Sequence, residues 1–232
     1  MPLAGMGISA RSTARELMDD PVPDLVELES NLRDIERTNR WFGGLAAVRA
    51  EVFAWQPRTL LDVGCGSGDI ALALARAFRA RGRALDVTCL DHSAQMLEIA
   101  RARAKGEASL AFVQGDGEAL PFRESAFDVV TCNLALHHFD PPAAVRLLRE
   151  LRRVAKRTPL VCDLRRARAA YWGALAYVRL ASRNRLTRHD APLSVLRAYT
   201  PAEALELARE AGWRRPTVRH VRYFRMILVD EK

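Results

Sequence analysis

Three glycines at alternate positions, Gly64, Gly66 and Gly68, follow the apolar run 60–63 and lead into a stretch of helical periodicity. Glycine lets the backbone approach a ligand closely, and the first turn of a helix offers free N–H groups. The spacing is GxGxG, whereas dinucleotide-binding turns have GxGxxG, so the pattern indicates a ligand without a pyrophosphate. The alternative is an ordinary strand-to-helix turn that binds nothing.

Two carboxylates follow the next two apolar runs. Asp91 ends the run 87–90, and Asp116 comes after the run 110–114. A carboxylate at the end of such a strand can accept hydrogen bonds from both ribose hydroxyls of a nucleoside. Because consecutive parallel strands end at one edge of a sheet, we expect the glycine turn and both acids at that edge. The alternative for Asp91 is a cap on the helix that starts near Ser93.

Two histidines and a third acid are candidates for proton transfer. His137 and His138 follow the fourth apolar run, and Asp163 ends the fifth. Imidazole has an unperturbed pKa near neutrality, so a histidine can remove the proton of a hydroxyl as the hydroxyl attacks. We expect Asp163 to orient that histidine or to contact the molecule that carries the hydroxyl. The alternative is that one histidine caps the helix near Pro141 while the other packs inward.

Apolar runs that alternate with helical periodicity position these residues. This alternation predicts a parallel sheet with crossover helices. Near the C-terminus, Thr200, Pro201 and Glu203 predict a capped helix over residues 201–211, followed by two strands that pair antiparallel. The predicted strands are 59–63, 85–90, 110–114, 127–132, 159–163, 217–221 and 223–229.

Two further segments are predicted to cover the edge of the sheet where ligands of open α/β sheets bind. We divide a single domain of residues 1–232 into a helical cap (1–55), a cofactor-binding core (56–164), a lid (165–199) and a C-terminal helix with a strand pair (200–232). The cap is predicted to be helical after a break at residues 19–23. In the lid, Tyr171 and Trp172 lie among polar residues, a mixture that suits an aromatic or amphipathic acceptor. The alternative is that both segments merely cover the sheet.

The composition is that of an ordinary globular protein, with 49% hydrophobic and 28% charged residues. All but three of the 36 basic residues are arginines spread along the chain, so we interpret the net charge of +8 as compositional bias. An acidic, membrane-surface or nucleic-acid partner is the alternative. We expect no nucleic acid, no membrane span and, because the cysteines stand singly, no metal and a cytoplasmic protein. The cysteines are Cys65, Cys89, Cys132 and Cys162.

Four segments together resemble the class I S-adenosylmethionine-dependent methyltransferases, over residues 59–163. They are LDVGCGSG (61–68), LDHSAQML (90–97), GDGEALPF (115–122) and FDVVTCNLALHHF (127–139). The resemblance implies a Rossmann-like fold with a seven-stranded, mostly parallel sheet, an antiparallel C-terminal strand and helices on both faces. It also implies that the three glycines border the methionine part of S-adenosylmethionine and that Asp62 positions its amino-acid end. Asp91 would hold the ribose, and Asp116 with Gly117 would meet the adenine. Further cofactor contacts are expected from Cys65, His92, Met96 and Asn133.

The resemblance is to the small-molecule group of bacterial enzymes that act on quinones, sugars and natural products. It implies methyl transfer to a small acceptor, with O-methylation of a phenolic, sugar or polyketide-like hydroxyl in secondary metabolism expected first. A similar arrangement in sugar O-methyltransferases favours His137 as the base. The alternatives are C-methylation of a quinol, an RNA or protein methyltransferase, a non-catalytic cofactor-binding protein and an NAD-dependent oxidoreductase. We expect a monomer or a homodimer.

Overall fold

The computed structural model describes residues 10–19 and 24–231, and its centre is one sheet of seven strands. The strands are β1 (Thr59–Val63), β2 (Asp86–Asp91), β3 (Leu110–Gln114), β4 (Phe127–Asn133), β5 (Ala155–Leu164), β6 (Pro216–Val221) and β7 (Arg225–Asp230). Their order across the sheet is β3-β2-β1-β4-β5-β7-β6. Strands β1 to β5 run parallel, and β7 is antiparallel to β5 and β6. The predicted fold class is therefore confirmed.

Helices cover both faces of the sheet. They are α1 (Leu25–Trp41), α2 (Gly44–Trp55), α3 (Asp69–Arg79), α4 (Ala94–Arg103), α5 (Pro141–Val154), α6 (Arg168–Ala181), α7 (Arg185–Arg197) and α8 (Pro201–Glu210). Successive side chains of a strand point to opposite faces. Accordingly, Leu60 packs in a core with α2 and α3, whereas Leu61 packs in a second core with α5 and α8. Burial on both faces explains why the strands are continuous apolar runs.

The C-terminal elements follow the sequence prediction closely. Thr200 and Glu203 form the reciprocal capping box at the start of α8. Strands β6 and β7 pair as an antiparallel hairpin. Strand β7 begins at Arg225 and not at residue 223, because Tyr223 and Phe224 have φ angles of 56° and 61° and form the turn. A left-handed backbone of this kind interrupts an extended strand.

The cap and the lid meet over the carboxyl edge of the sheet. Helix α1 packs against α7, and a small apolar cluster joins Leu28 and Leu32 of α1 to Met96 of α4 and Leu186 of α7. The predicted cap and its break include residues 1–9 and 20–23, which lie outside the described residues. Among the helices described, none has the length and apolar character needed to cross a bilayer.

Candidate active site

A cavity of about 1390 Å³ opens at the carboxyl edge of the parallel strands. Its floor is formed by the ends of β1, β2 and β4, and its walls by α1, α6, α7 and the segment around residues 15–19. Pockets for a single small ligand measure roughly 300 to 1000 Å³. The cavity therefore has room for two ligands side by side.

Left-handed backbone angles and a hydrogen bond to Asp91 fix the conformation of the glycine turn at this edge. Gly64 has φ +68°, and a Cβ there would lie 2.8 Å from the Cβ of Ala135. Gly66 has φ +54°, with nothing within 4 Å of a Cβ, so its open side faces the cavity that it lines. The carboxylate of Asp91 accepts the backbone N–H of Gly66 at 2.8 Å and that of Ser93 at 3.0 Å. Ser93 itself caps α4, so Asp91 is not the N-cap.

Asp62 is buried beneath the turn with two polar neighbours from β4. Its Oδ1 accepts hydrogen bonds from Thr131 Oγ1 and Asn133 Nδ2, both at 2.8 Å. Burial raises the pKa of Asp62 to about 7, against the lowering effect of those two donors. The buried Asn133 Oδ1 has no hydrogen-bond partner among the described residues. The pair therefore offers a carboxyl group and a free carbonyl oxygen to a cationic ligand group.

The other predicted cofactor residues differ in their surroundings. Asp116 is exposed at the mouth of the cavity, where its Oδ1 accepts the backbone N–H of Glu118 at 2.8 Å. Gly117 is tightly packed, since a Cβ there would lie 3.0 Å from Leu147 Cδ1. Gly68 does not appear on the cavity wall; its lack of a side chain accommodates Ala100 of α4. The other three predicted cofactor residues, Cys65, Met96 and His92, line the cavity. Cys65 and Met96 are buried, and His92 is exposed.

His137 and Asp163 form a buried pair. The Nδ1 atom of His137 lies 2.7 Å from Asp163 Oδ1, and Asp163 Oδ2 accepts the backbone N–H of His137 at 3.0 Å. Burial alone would raise the pKa of Asp163, but His137 and two backbone donors lower it below the ordinary value. Asp163 lies behind the ring and not on the cavity wall, whereas His137 lines the cavity. The cap on α5 is Asp140, so neither histidine serves as its N-cap.

His138 stands beside His137, with the two ring centroids 4.4 Å apart. Burial opposes its charged form, but Asp19 and Glu16 raise the pKa of His138 above the ordinary value. The carboxylate of Glu16 lies 3.7 Å from His137 Nε2 and 3.8 Å from His138 Nε2. The ligand atoms of these three residues lie within 4.8 Å of one another, close enough for one metal ion. The expectation of no metal therefore stays a prediction.

The sequence reasoning missed the segment that carries Glu16. Arg11 donates hydrogen bonds to the carbonyl oxygens of His137 and Phe139 at 2.6 and 2.7 Å. Asp190 of α7 accepts the backbone N–H groups of Leu17 and Met18 at 2.8 and 3.0 Å. These contacts join residues more than a hundred positions apart, and no local periodicity signals them.

An aromatic group lines the cavity where α6 meets the turn between β6 and β7. Phe42 lies between Tyr177 and Tyr223, with ring centroids 4.9 and 5.3 Å away. The predicted lid aromatics, Tyr171 and Trp172, do not line the cavity, and Trp172 is 57% exposed. The interpretation of these two residues was therefore wrong, because the face of α6 that lines the cavity carries Ala170, Gly173, Ala174, Tyr177 and Val178, whereas Tyr171 and Trp172 lie on another side of the helix.

The sequence comparisons decide the class of this domain. Residues 60–158 match the family model described as a methyltransferase domain. A demethylmenaquinone methyltransferase of Thermotoga maritima is 33% identical over 153 residues, which are 66% of this chain and 61% of that protein. Residues 60–158 therefore form a class I S-adenosylmethionine-dependent methyltransferase domain. The resemblance found in the sequence is thus confirmed, and the methyltransferase domain is of a class whose cofactor is S-adenosylmethionine.

Solved structures share the fold of this methyltransferase domain. A Nostoc punctiforme protein provisionally described as an O-methyltransferase superposes with a TM-score of 0.67 at 18% identity, covering 96% of this chain and 64% of that one. Human N-acetylserotonin methyltransferase, in complex with S-adenosylmethionine, has a TM-score of 0.63 at 16% identity, covering 89% and 56%. At these identities the similarity concerns the fold.

Proposed function

We propose that this chain transfers a methyl group from S-adenosylmethionine to a hydroxyl group of a small aromatic or amphipathic acceptor. The observation that carries the proposal is the pair of His137 and Asp163, whose 2.7 Å contact sets the imidazole at the cavity wall. The glycine turn and the acids of the cofactor side line the same cavity. Its volume of about 1390 Å³ suits cofactor and acceptor together.

The residues on the cofactor side fit S-adenosylmethionine. Asn133 Oδ1 is buried and has no partner among the described residues, and Asp62 lies 2.8 Å from Asn133 Nδ2. An unsatisfied buried acceptor is costly, and the ammonium group of the methionine part would satisfy it. Asp91 already holds the glycine turn through Gly66 and still lines the cavity, so it can also meet ribose hydroxyls. When bound, S-adenosylmethionine supplies an activated methyl group.

The protein's part in the reaction is alignment and removal of one proton. Asp163 accepts the Nδ1–H of His137, which leaves Nε2 with a lone pair for the acceptor's hydroxyl proton. Phe42 and Tyr177 offer flat apolar surfaces that hold an aromatic acceptor and exclude water. Near-attack alignment lowers the reaction barrier by about 7 to 11 kcal/mol. A general base raises the rate by ~10² to 10⁴-fold, which corresponds to a smaller lowering of the barrier. Alignment is therefore the larger contribution.

C-methylation of a quinol-type acceptor is the second candidate. The observation that favours it is the similarity to the demethylmenaquinone methyltransferase of Thermotoga maritima, at 33% identity. A quinol also offers a flat ring to the aromatic group and a hydroxyl proton to His137. The two candidates differ in which acceptor atom receives the methyl group.

An assay with S-adenosylmethionine labelled in its methyl group separates these candidates. The acceptors are simple phenols and catechols, sugars, and reduced naphthoquinones, and each labelled product is heated in hydriodic acid. This acid cleaves methyl ethers to volatile methyl iodide but leaves carbon-bound methyl groups in place. Volatile label supports O-methylation, and retained label supports the quinol alternative. Cofactor binding without transfer to any acceptor would contradict the proposal and favour a non-catalytic binding protein.

The charge and the cysteines support a small-molecule enzyme of a reducing compartment. Two arginines of the lid region are used inside the fold: Arg166 donates to the carbonyl oxygen of Ala198 at 2.7 Å, and Arg197 to that of His138 at 2.9 Å. Such roles favour structure over nucleic-acid binding as the reason for the net charge of +8. All four cysteines are free and buried, as expected in the cytoplasm.

A further inference from the structure

Arg225 is a buried cation that forms no ion pair with any of the residues that the structure describes. It begins β7 on the cavity wall and is 3% exposed. Its Nε has no hydrogen-bond partner among the described residues. The Arg225 side chain has a hydrogen bond with the thiol of Cys162, and the carboxylates of Asp163 and Asp69 act on it electrostatically. A buried charge is costly unless it is paired, so this position calls for an anion.

The first turn of α2 adds a second source of positive potential at the same place. The helix has 12 residues, and its N-cap, Gly43, has φ +78° and provides no side-chain cap. The Nη1 atom of Arg225 lies 2.8 Å from the position that a Cβ on Gly44 would occupy. The guanidinium therefore lies against the helix start, where free N–H groups and the helix dipole also favour negative charge.

We propose that Arg225, which lies against the first turn of α2, binds a carboxylate group of a ligand in the cavity. A carboxylate accepts two parallel N–H bonds from a guanidinium, and the dipole of the adjacent helix start adds to the positive potential there. Because Arg225 pairs in register with Leu164, it lies one residue from Asp163 and so near the proposed base. The carboxylate belongs either to the methionine end of the cofactor or to the acceptor; the inference rests on the proposed function in both cases.

The first arm of the test compares two ligands that differ in the amino-acid group. S-adenosylhomocysteine has the carboxylate, whereas methylthioadenosine lacks the whole amino-acid end, and both are titrated by calorimetry. If the cofactor supplies the carboxylate, R225M lowers the ratio of the two affinities by roughly 10- to 100-fold, as expected for loss of charged hydrogen bonds. The control R222M removes an exposed arginine from the neighbouring turn and leaves the ratio unchanged.

The second arm compares 4-hydroxybenzoate with 4-hydroxybenzamide in the presence of S-adenosylhomocysteine. If the acceptor supplies the carboxylate, R225M removes the preference for the acid and leaves the cofactor ratio intact. G44A is a second variant that keeps the charge but displaces Nη1, and it weakens the same preference by a smaller factor. Melting curves of each variant confirm folding before its titration is interpreted.

Unchanged ratios in both arms, in folded R225M and G44A, would overturn the carboxylate site. Failure of the proposed function has a different signature. If the wild-type chain binds neither nucleoside, the proposed cofactor site is wrong. In that case the comparison of acid with amide, repeated without nucleoside, still tests Arg225.

Discussion

Asp163 holds His137 through both of its carboxylate oxygens. Oδ1 lies 2.7 Å from the ring Nδ1, and Oδ2 accepts the backbone N–H of the same residue at 3.0 Å. Two bonds to one carboxylate fix both the rotation of the ring and the position of its backbone. The proposed mechanism uses the tautomer in which Nδ1 donates its proton to Asp163 and Nε2 has the lone pair. A histidine held in this way is oriented before the acceptor arrives.

Replacing His137 by Gln should lower turnover and leave cofactor affinity intact. The loss of the base costs about 10²- to 10⁴-fold in kcat. The Kd of S-adenosylhomocysteine stays the same, since the proposed mechanism assigns His137 to the acceptor and not to the cofactor. Steady-state kinetics and calorimetry measure the two quantities separately. The matched control is H138Q, which removes the adjacent imidazole and should reduce kcat by a much smaller factor; a larger reduction in H138Q than in H137Q would assign the base to His138.

The sequence predicts that Asp163 lies near the histidines, because it ends one parallel strand and they follow another. The strands β4 and β5 are neighbours in the sheet, so their carboxyl ends meet at one edge. Topology alone therefore brings the two side chains together. The residue pattern does not tell which histidine faces Asp163, and only the family resemblance favours His137. The choice depends on the 3-10 turn at Leu136–His138 and on Arg11, a residue 126 positions away from His137.

Replacing Gly66 by Arg should abolish cofactor binding without unfolding the protein. Nothing lies within 4 Å of a Cβ at this position, so the new side chain extends into the cavity. The left-handed φ of +54° costs about 1 to 2 kcal/mol for a non-glycine residue. We expect a moderate fall in Tm and no measurable heat of S-adenosylhomocysteine binding. At Gly64, alanine would instead meet Ala135 at 2.8 Å, so G64A should lower Tm more than G66A does.

Asp62 should make both stability and cofactor binding depend on pH. Its pKa of about 7 in the folded protein exceeds the ordinary 3.8, because burial disfavours the carboxylate. Between these two values the folded state binds more protons than the unfolded state, so the contribution of Asp62 to stability falls as pH rises. D62N removes this loss and, without cofactor, should be more stable than the wild-type chain at pH 8 but not at pH 4. Urea unfolding at the two pH values measures the difference.

The Asp62 carboxyl group should also make cofactor affinity depend on pH. This affinity should rise with pH, whereas the stability contribution of Asp62 falls. An ammonium group prefers the ionised carboxylate, so the affinity for S-adenosylhomocysteine should rise with pH up to about 7 and then level off. In D62N the affinity is lower and this rise is absent. Calorimetry in two buffers of different ionisation enthalpy measures the proton released on binding. A release of no proton at pH 6 would contradict the proposed role of Asp62.

Arg225 and Glu16 show where sequence reasoning fails. Arg225 stands in a strand as one arginine among many, and its burial arises only when β7 inserts between β5 and β6. Glu16 reaches the histidines because Ser194 and Asp190 of α7 hold its segment. Both positions are set by packing between elements far apart in the chain. Local pattern carries no information about such contacts.

Removing metal ions should leave methyl transfer unchanged. In the proposed mechanism His137 Nε2 takes the acceptor's proton itself, so dialysis against EDTA does not lower kcat. Added Zn²⁺ should inhibit, because Glu16, His137 and His138 offer three ligand atoms within 4.8 Å and imidazole nitrogen is a preferred zinc ligand. E16Q removes the charged member of that set, and so raises the Zn²⁺ concentration needed for half inhibition. If EDTA instead abolishes turnover and one divalent ion restores it, then these three residues hold a metal that activates the hydroxyl, and His137 is a ligand and not the base.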